Sequence, residues 1–449
     1  MMKLGKKSIA LLILACLIVA QMYVVFAEEA MSEETVTEEK VNEEKVNEEK
    51  VNEENETTAR TIIHSLETLT EILVAENLEI EKIKLNHEML LLNLEQTLED
   101  YEELQEDVEN AKDLVEVREK QVDIIKDELS DIPVGAPERA QALAQLNWNV
   151  QLLDAAKRSY EGIIKQEANM MESLELMKLQ RDQSSRNRKQ EIEKIKANFE
   201  KNYFQLVLLE NQKEVFKKQL ENLDMLIESE KVKKNLDLTT QMAIFELEKD
   251  RSKMFFNIRN VENNTEQIRE KIKTDINVSV DEELLIILTI EENITVRQFV
   301  LSDVIEKFMN NNLSLETSLR MTEVKREVHE KIKVAYEEDD NEYKVAYLEI
   351  RESEINELTS RRNFEHIVKQ TYFQHEQVRI DLLMQLQEKI LIEDKFEHTK
   401  MQYDLGLISE LQYRASELQV EQANLNYVSA KVNYINARIT MELLVKGIN

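Results

Sequence analysis

Two prolines, five glycines and one cysteine in 449 residues leave this sequence short of almost everything that makes turns, strands and cross-links. Glycine and proline punctuate hairpins and loops, so their scarcity excludes a fold of many short strands and argues for long helices with few reversals. A lone Cys16 excludes an intrachain disulfide. Aromatic residues are only 6%, too few for a core of large rings, whereas helices packed side by side manage with aliphatic side chains. Basic charge is short as well. Against 90 Asp and Glu stand 58 Lys and Arg, a net charge of −32. Such a surface repels phosphate backbones, which argues against a nucleic-acid partner and suits basic partners or diffusely held cations.

Catalytic motifs are missing too. The histidines at 64, 87, 329, 366, 375 and 398 include no H-E-x-x-H, and His366 and His375 share no helical face. Gly135 and Gly162 stand alone, with no glycine-rich phosphate loop. The chain therefore reads as no enzyme, with no metal site and no cofactor. Trp148, beside Leu146 and Val150, reads as a packing or tip contact.

What is present begins with an export signal. Lys3, Lys6 and Lys7 precede an apolar run from Ile9 to Phe26, and Val25-Phe26-Ala27 supplies small residues for a cut after Ala27. Residues 1–27 read as a secretory signal peptide. The rival reading is an uncleaved anchor, since eighteen apolar residues just span a bilayer. Cys16 fits a lipidation signal poorly, because apolar residues continue well beyond it. Residues 28–58 hold 13 glutamates against three lysines and contain three copies of KVNEE over 40–54. Ordering such a stretch loses entropy and buries nothing, so it reads as a disordered acidic spacer.

The remainder is written twice. TIIHSLETLTEILVAENLEIE (61–81) matches VRQFVLSDVIEKFMNNNLSLE (296–316) at an offset of 235, pairing Leu66 with Leu301, Leu69 with Val304, Leu73 with Phe308 and Asn77 with Asn312. KVKKNLDLTTQMAIFELEKD (231–250) matches KMQYDLGLISELQYRASELQ (400–419) at an offset of 169. There Leu236, Asp237, Leu238 and Thr240 stand opposite Leu405, Gly406, Leu407 and Ser409. Both stretches read as the reversal of a helical hairpin. Gly406, or less comfortably Asp237, takes a left-handed conformation, and Thr240 or Ser409 caps the next helix. A glycine kink in one straight helix is the other reading. The offsets differ by 66, so the first half carries an insertion, with its arms lengthened across 90–230. Pro133, Gly135 and Pro137 mark a further turn at 130–140. The second-half counterpart, AYEEDDNEYKVAYLE (335–349), either turns at Asp339–Asn341 or runs on as helix. Residues 276–296, rich in β-branched side chains, form a connector that admits a short strand. The expected domains are thus a first helical repeat at 59–275, the connector at 276–296 and a second repeat at 297–449.

The last helix carries two stripes. Leu411, Leu418, Leu425, Val432 and Ile439 recur every seven residues, and Ala423, Ala430, Ala437 and Leu444 form a second column. Two stripes fit a helix packed on two sides, within a sheet or ring of helices, and a simple antiparallel bundle is the alternative.

These features resemble the outer-membrane efflux channel family, the TolC-like proteins. Asn312-Leu313-Ser314-Leu315 is similar to the family's early N-P-x-L segment, without its proline. Tyr403, Gly406, Leu407 and Ser409 match its Y-x-x-G-x-x-(S/T) hairpin tip, and Tyr427, Ala430, Tyr434 and Ala437 match the tail beyond it. The resemblance spans roughly 61–445 and implies a homo-trimer forming a hollow helical cylinder, with efflux transmembrane transporter activity; the expected place is the cell envelope, membrane-associated or extracytoplasmic, and insertion in the outer membrane is not carried over. It also implies a membrane-fusion adaptor, or another coiled-coil envelope protein, docked on the tips. The barrel strands of the family are absent: 316–404 stays rich in Glu, Lys and Arg, with no alternating ten-residue strands. The expectation is an all-α fold of long antiparallel hairpins in two related halves, TolC-like but without an evident β-barrel. Two functions fit it: an exported component that forms or supports a helical conduit and docks an adaptor, or a non-conducting coiled-coil spacer or scaffold of the cell envelope. In the first of these, the hairpin-tip residues expected to dock the partner are Tyr403, Leu405, Gly406, Leu407, Ser409, Leu236, Asp237, Leu238 and Thr240.

Overall fold

The computed structural model describes residues 63–279, 282, 284–291 and 294–449. The signal peptide and the KVNEE spacer lie outside the described residues. A two-residue strand β1 (Ile63–His64) leads into α1 (Leu66–Glu76) and α2 (Leu78–Asp131). Next come α3 (Pro137–Asn235) and α4 (Gln241–Asp275). Strand β2 (Leu285–Ile286) pairs in parallel with β1. The second half runs α5 (Leu301–Asn311), α6 (Leu313–Ile332), α7 (Asn341–Asp404) and α8 (Glu410–Val445). Pro137–Asn235 is one helix of 99 residues, about 150 Å long at 1.5 Å per residue. Its one internal glycine, Gly162, does not interrupt it, and its proline, Pro137, stands at the first position.

Both halves open with the same joint. Asn77 ends α1 and caps α2, its side-chain oxygen accepting from the Ile80 N–H at 3.1 Å. Asn312 repeats this 235 residues later, accepting from Leu315 N–H at 2.8 Å. Each asparagine also donates its amide to a carbonyl at the end of the last helix of its own half. Asn77 Nδ2 reaches Asp275 O at 2.6 Å, and Asn312 Nδ2 reaches Gly447 O at 2.9 Å. An N-cap and a tie between the first and last helices are thus made by one buried side chain.

The core is duplicated in the same way. Leu69, Leu73, Phe199, Tyr203, Ile272 and Ile276 pack together between α1, α3 and α4. Val304, Phe308, Val368, Tyr372, Met441 and Val445 pack between α5, α7 and α8. The first two of each set are related by the offset of 235 and the other four by 169. Full burial of such side chains contributes about 1.5–3 kcal/mol each. The connector is fastened to this core by two buried tyrosines. Tyr203 donates its hydroxyl to Ile287 O at 2.7 Å and accepts from Thr289 N–H, and Tyr434 accepts from Arg297 N–H at 2.7 Å.

The hairpins differ in length. Helix α2 has 54 residues where α6 has 20, and α3 has 99 where α7 has 64. Pro137 sits in the first turn of α3, after Gly135 at φ +101°. In the second half α6 stops at Ile332, and the turn through 333–340 ends at Asp340, the cap of α7. The two-stripe pattern of α8 resolves into two neighbours. Ile435 and Ile439 meet Ala197 of α3, while Ala430 and Tyr434 meet Leu382 of α7. Trp148 is 62% exposed on α3.

The implied transmembrane transporter activity also needs correction. Among the described residues no helix is long and apolar enough to cross a membrane. The strands there are two residues each, against staves of about ten needed for a barrel.

Candidate functional site

The two tips are built by one device. In the first, Leu238 N–H donates to Lys233 O at 2.9 Å and Asp237 N–H to Lys234 O at 2.9 Å. In the second, Leu407 N–H donates to Gln402 O and Gly406 N–H to Tyr403 O, both at 2.8 Å. This paired pattern closes a helix over a left-handed residue and satisfies its orphan carbonyls. The left-handed residues are Asp237 at φ +57° and Gly406 at φ +70°. Thr240 then accepts from Ala243 N–H at 3.3 Å to start α4. Ser409 starts α8 with a full capping box, since Gln412 N–H donates to its hydroxyl and Gln412 Oε1 accepts its backbone N–H.

These polar and backbone groups shape the turns; other residues form the surface. Leu236, Leu238, Leu405 and Leu407 are 65%, 72%, 74% and 70% exposed. Each leucine occupies a C-cap or the second position beyond it, where the chain leaves the helix and cannot bury a side chain against its own rod. Tyr403 is half-buried and stacks on Tyr413 at 4.6 Å between ring centroids, with Phe396 behind at 5.5 Å. That stack braces the throat of the second hairpin. The first hairpin has no ring pair there; its throat is held by Lys234 donating to Gln241 and by Arg251 paired with Asp224 at 2.5 Å. Lys233 beside Glu230 holds that carboxyl below its ordinary range.

Register places the tips together. Helices α3 and α8 run antiparallel, with Lys218 on Glu421, Gln219 on Gln422 at 3.1 Å, and Lys201 on Thr440 at 3.0 Å. Since α3 runs toward the first tip and α8 away from the second, both lie at the same end. Near them the helices are ordered α4, α3, α8, α7. Helices α4 and α7 are the open flanks, with Phe255, Phe256, Phe373, Ile380 and Met384 exposed along them.

Two further left-handed caps escape sequence reasoning. Asn277 at φ +55° closes α4 and Gly447 at φ +79° closes α8, 170 residues apart where the tips are 169 apart, and with the same pair of hydrogen bonds. Gly447 is pressed so closely on the α5–α6 joint that a Cβ there would lie 2.3 Å from the Asn311 carbonyl carbon. The signal was a second glycine at the tip offset plus one. Among the described residues no group of three His, Cys, Asp or Glu is placed to hold a metal ion.

No protein-family model matches the chain, and no curated protein sequence matches it. The course of its helices is similar to that of solved outer-membrane channels. The outer membrane protein VceC of Vibrio cholerae is 9% identical with a TM-score of 0.46, over 63% of this chain and 76% of that one. The CmeC outer membrane channel of Campylobacter jejuni is 12% identical with a TM-score of 0.43, over 78% and 86%. The open-state MtrE outer membrane channel of Neisseria gonorrhoeae is 12% identical with a TM-score of 0.44, over 86% and 89%. Likenesses of this degree concern the path of the helices and carry nothing about what this chain does.

Proposed function

We propose that this chain is an exported, non-conducting helical scaffold of the cell envelope, which docks a coiled-coil or adaptor partner through its two hairpin tips. The supporting observation is the set of four leucines, more than three-fifths exposed, on two rigidly capped turns at one end of long unbroken helices. Exposed apolar side chains on a stiff backbone lose little entropy on docking, which favours their use as contact points. Export rests on the amino-terminal lysines and apolar run. The acidic stretch at 28–58 then acts as a spacer that keeps the rods away from the surface they are attached to.

A second reading, a homo-trimer enclosing a helical conduit, is favoured by the apolar side chains on the flanks α4 and α7, which are complementary edges for ring closure. The two readings separate on mass. Native mass spectrometry of the exported protein, alone and with envelope extract fractions, gives a monomer or open bundle for the scaffold and a discrete trimer for the conduit. Docking is tested separately by changing Leu238 and Leu407 to Glu. Photo-crosslinking from position 239 to an envelope partner disappears in that variant if the tips dock, and persists unchanged if they do not.

A further inference from the structure

The lengthened arm of the first half has no counterpart in the second. By the offset of 235, α6 stops at Ile332, the mate of Thr97, whereas α2 runs on to Asp131. Tyr336, in the turn after α6, donates its hydroxyl to Glu161 O at 3.0 Å. Beyond that level α3 extends back to Pro137, about 36 Å further, paired with α2.

The two helices of the arm meet along rows spaced alternately three and four. These are Val115, Arg118, Val122 and Ile125 on α2, and Leu146, Asn149, Leu153 and Ala156 on α3. The helices run antiparallel, and Glu119 meets Lys157 at 2.8 Å. Each of that pair stands one residue beyond its row. Residues just beyond the rows therefore share one side of the arm, and residues just before them share the other. The second side holds Leu114, Val117 and Ile124 of α2 and Trp148 of α3, which are 46%, 49%, 57% and 62% exposed. Leu152 lies half-buried among them. No residue at these positions is charged from 110 to 124 on α2 or from 141 to 159 on α3. The whole chain is 33% charged, and Glu116, Glu119 and Asp123 stand on the first side.

Further along α3 a helix already covers the uncharged side. Gln183, five heptads on from Trp148, is buried, and its amide oxygen accepts from Thr317 Oγ1 of α6 at 3.2 Å. The arm carries this face past the end of α6 without a third helix of its own. The bare part is two helices wide and about 20 Å long, roughly 400 Å², a size that marks interaction sites. Charge decides the occupant. A basic partner would find its carboxylates on the first side, away from this face. Two copies of a chain with net charge −32 repel each other over most of their surface, and here they meet with no carboxylate between them. Gln141 and Gln145 add amides that both donate and accept, and so match a second copy of themselves.

We infer that the arms of two copies pair through this face, making a four-helix bundle at the end of α3 remote from the hairpin tips. The pairing is independent of the tip docking proposed above.

Sedimentation of the exported chain at rising concentration should show a reversible monomer–dimer equilibrium, weak because the face is at the low end of interface sizes. Trp148→Glu puts a charge on the face and should weaken dimerisation at least about tenfold, with unchanged circular dichroism because the ring is exposed. Glu116→Gln on the first side, and the tip variant carrying Leu238→Glu and Leu407→Glu, should both leave the dimer intact. A photo-crosslinker at position 145 of the otherwise unchanged chain, mixed with isotope-labelled chain, should join it to residues 110–159 of a second copy. That cross-link decides the matter even if Trp148→Glu unfolds. A monomer at every concentration, equal association by folded Trp148→Glu, or cross-links that land on the tips or on α4 and α7 would each overturn the inference.

Discussion

Two glycines with the same backbone conformation should respond very differently to one added methyl group. Gly406 at φ +70° has no atom within 4 Å of the position a Cβ would occupy. Gly406→Ala therefore costs only the left-handed penalty, about 1–2 kcal/mol. Gly447 at φ +79° carries the same penalty, but its Cβ would fall 2.3 Å from Asn311 C and 2.7 Å from Asn312 N. The backbone of the α5–α6 joint must then give way. Overpacking of this kind adds roughly 1–3 kcal/mol, so Gly447→Ala should cost about 2–5 kcal/mol. The Asn312 amide bond to Gly447 O at 2.9 Å is in its path. Helices this long do not unfold as a single two-state unit, so local opening is the proper measure. Hydrogen exchange read by mass spectrometry on peptides covering 308–316 and 440–449 should show a large loss of protection in Gly447→Ala. In Gly406→Ala the loss should stay within the second tip. Equal effects at the two sites, or a Gly447→Ala loss confined to its own turn, would refute the close approach and with it the tie between the first and last helices of each half.

Other consequences follow from the same geometry. Asp237→Gly should stabilise the first tip by up to about 1 kcal/mol, because glycine adopts φ +57° without the Cβ penalty; slower exchange of the 233–240 amides measures it. Asn312→Ala removes a helix cap and leaves the Gly447 carbonyl unpartnered, a loss of roughly 2–4 kcal/mol, and Asn77→Ala should do the same at Asp275. Hydrogen exchange of the peptides covering 73–82 and 308–316 in the two variants tests this. Burial pushes the imidazoles of His375 and His329 below their ordinary value of 6.5. Their unfolded forms then bind protons more readily, so the stability they contribute is complete above about pH 6.5 and is lost as pH falls below it. Hydrogen-exchange protection of the peptides around 329 and 375, corrected for the intrinsic pH dependence of exchange, should fall from pH 7.5 to 5.5, and His375→Leu should flatten the fall around 375.

Much of this fold is visible in the spacing of leucines. The Leu-x-Leu turns at 236–238 and 405–407 stood out because left-handed caps admit few residues, and because the next hydroxyl caps a helix. Asn77 and Asn312 stood out as a recurring pair, although the bond that each sends to the far end of its half joins residues 198 and 135 apart, which local patterning does not encode. The caps at Asn277 and Gly447 were hidden for different reasons. Asn277 sits in a β-branched stretch that reads as connector, and Gly447 matters through a close approach visible only in three dimensions. The turn through 333–340 was ambiguous because the second half has no proline there.

The central claim is that the chain reverses at both tips and that the two hairpins lie side by side with those tips at one end. Electron–electron distances between spin labels at 217 and 262, and between labels at 221 and 417, test it directly. The described packing, with Asp224 on Arg251 and Lys218 on Glu421, predicts that both distances fall below about 25 Å for neighbouring helices. A helix running straight through 236–240 would place 217 and 262 about 68 Å apart at 1.5 Å per residue. That value, or a broad and long 221–417 distribution, would contradict the account.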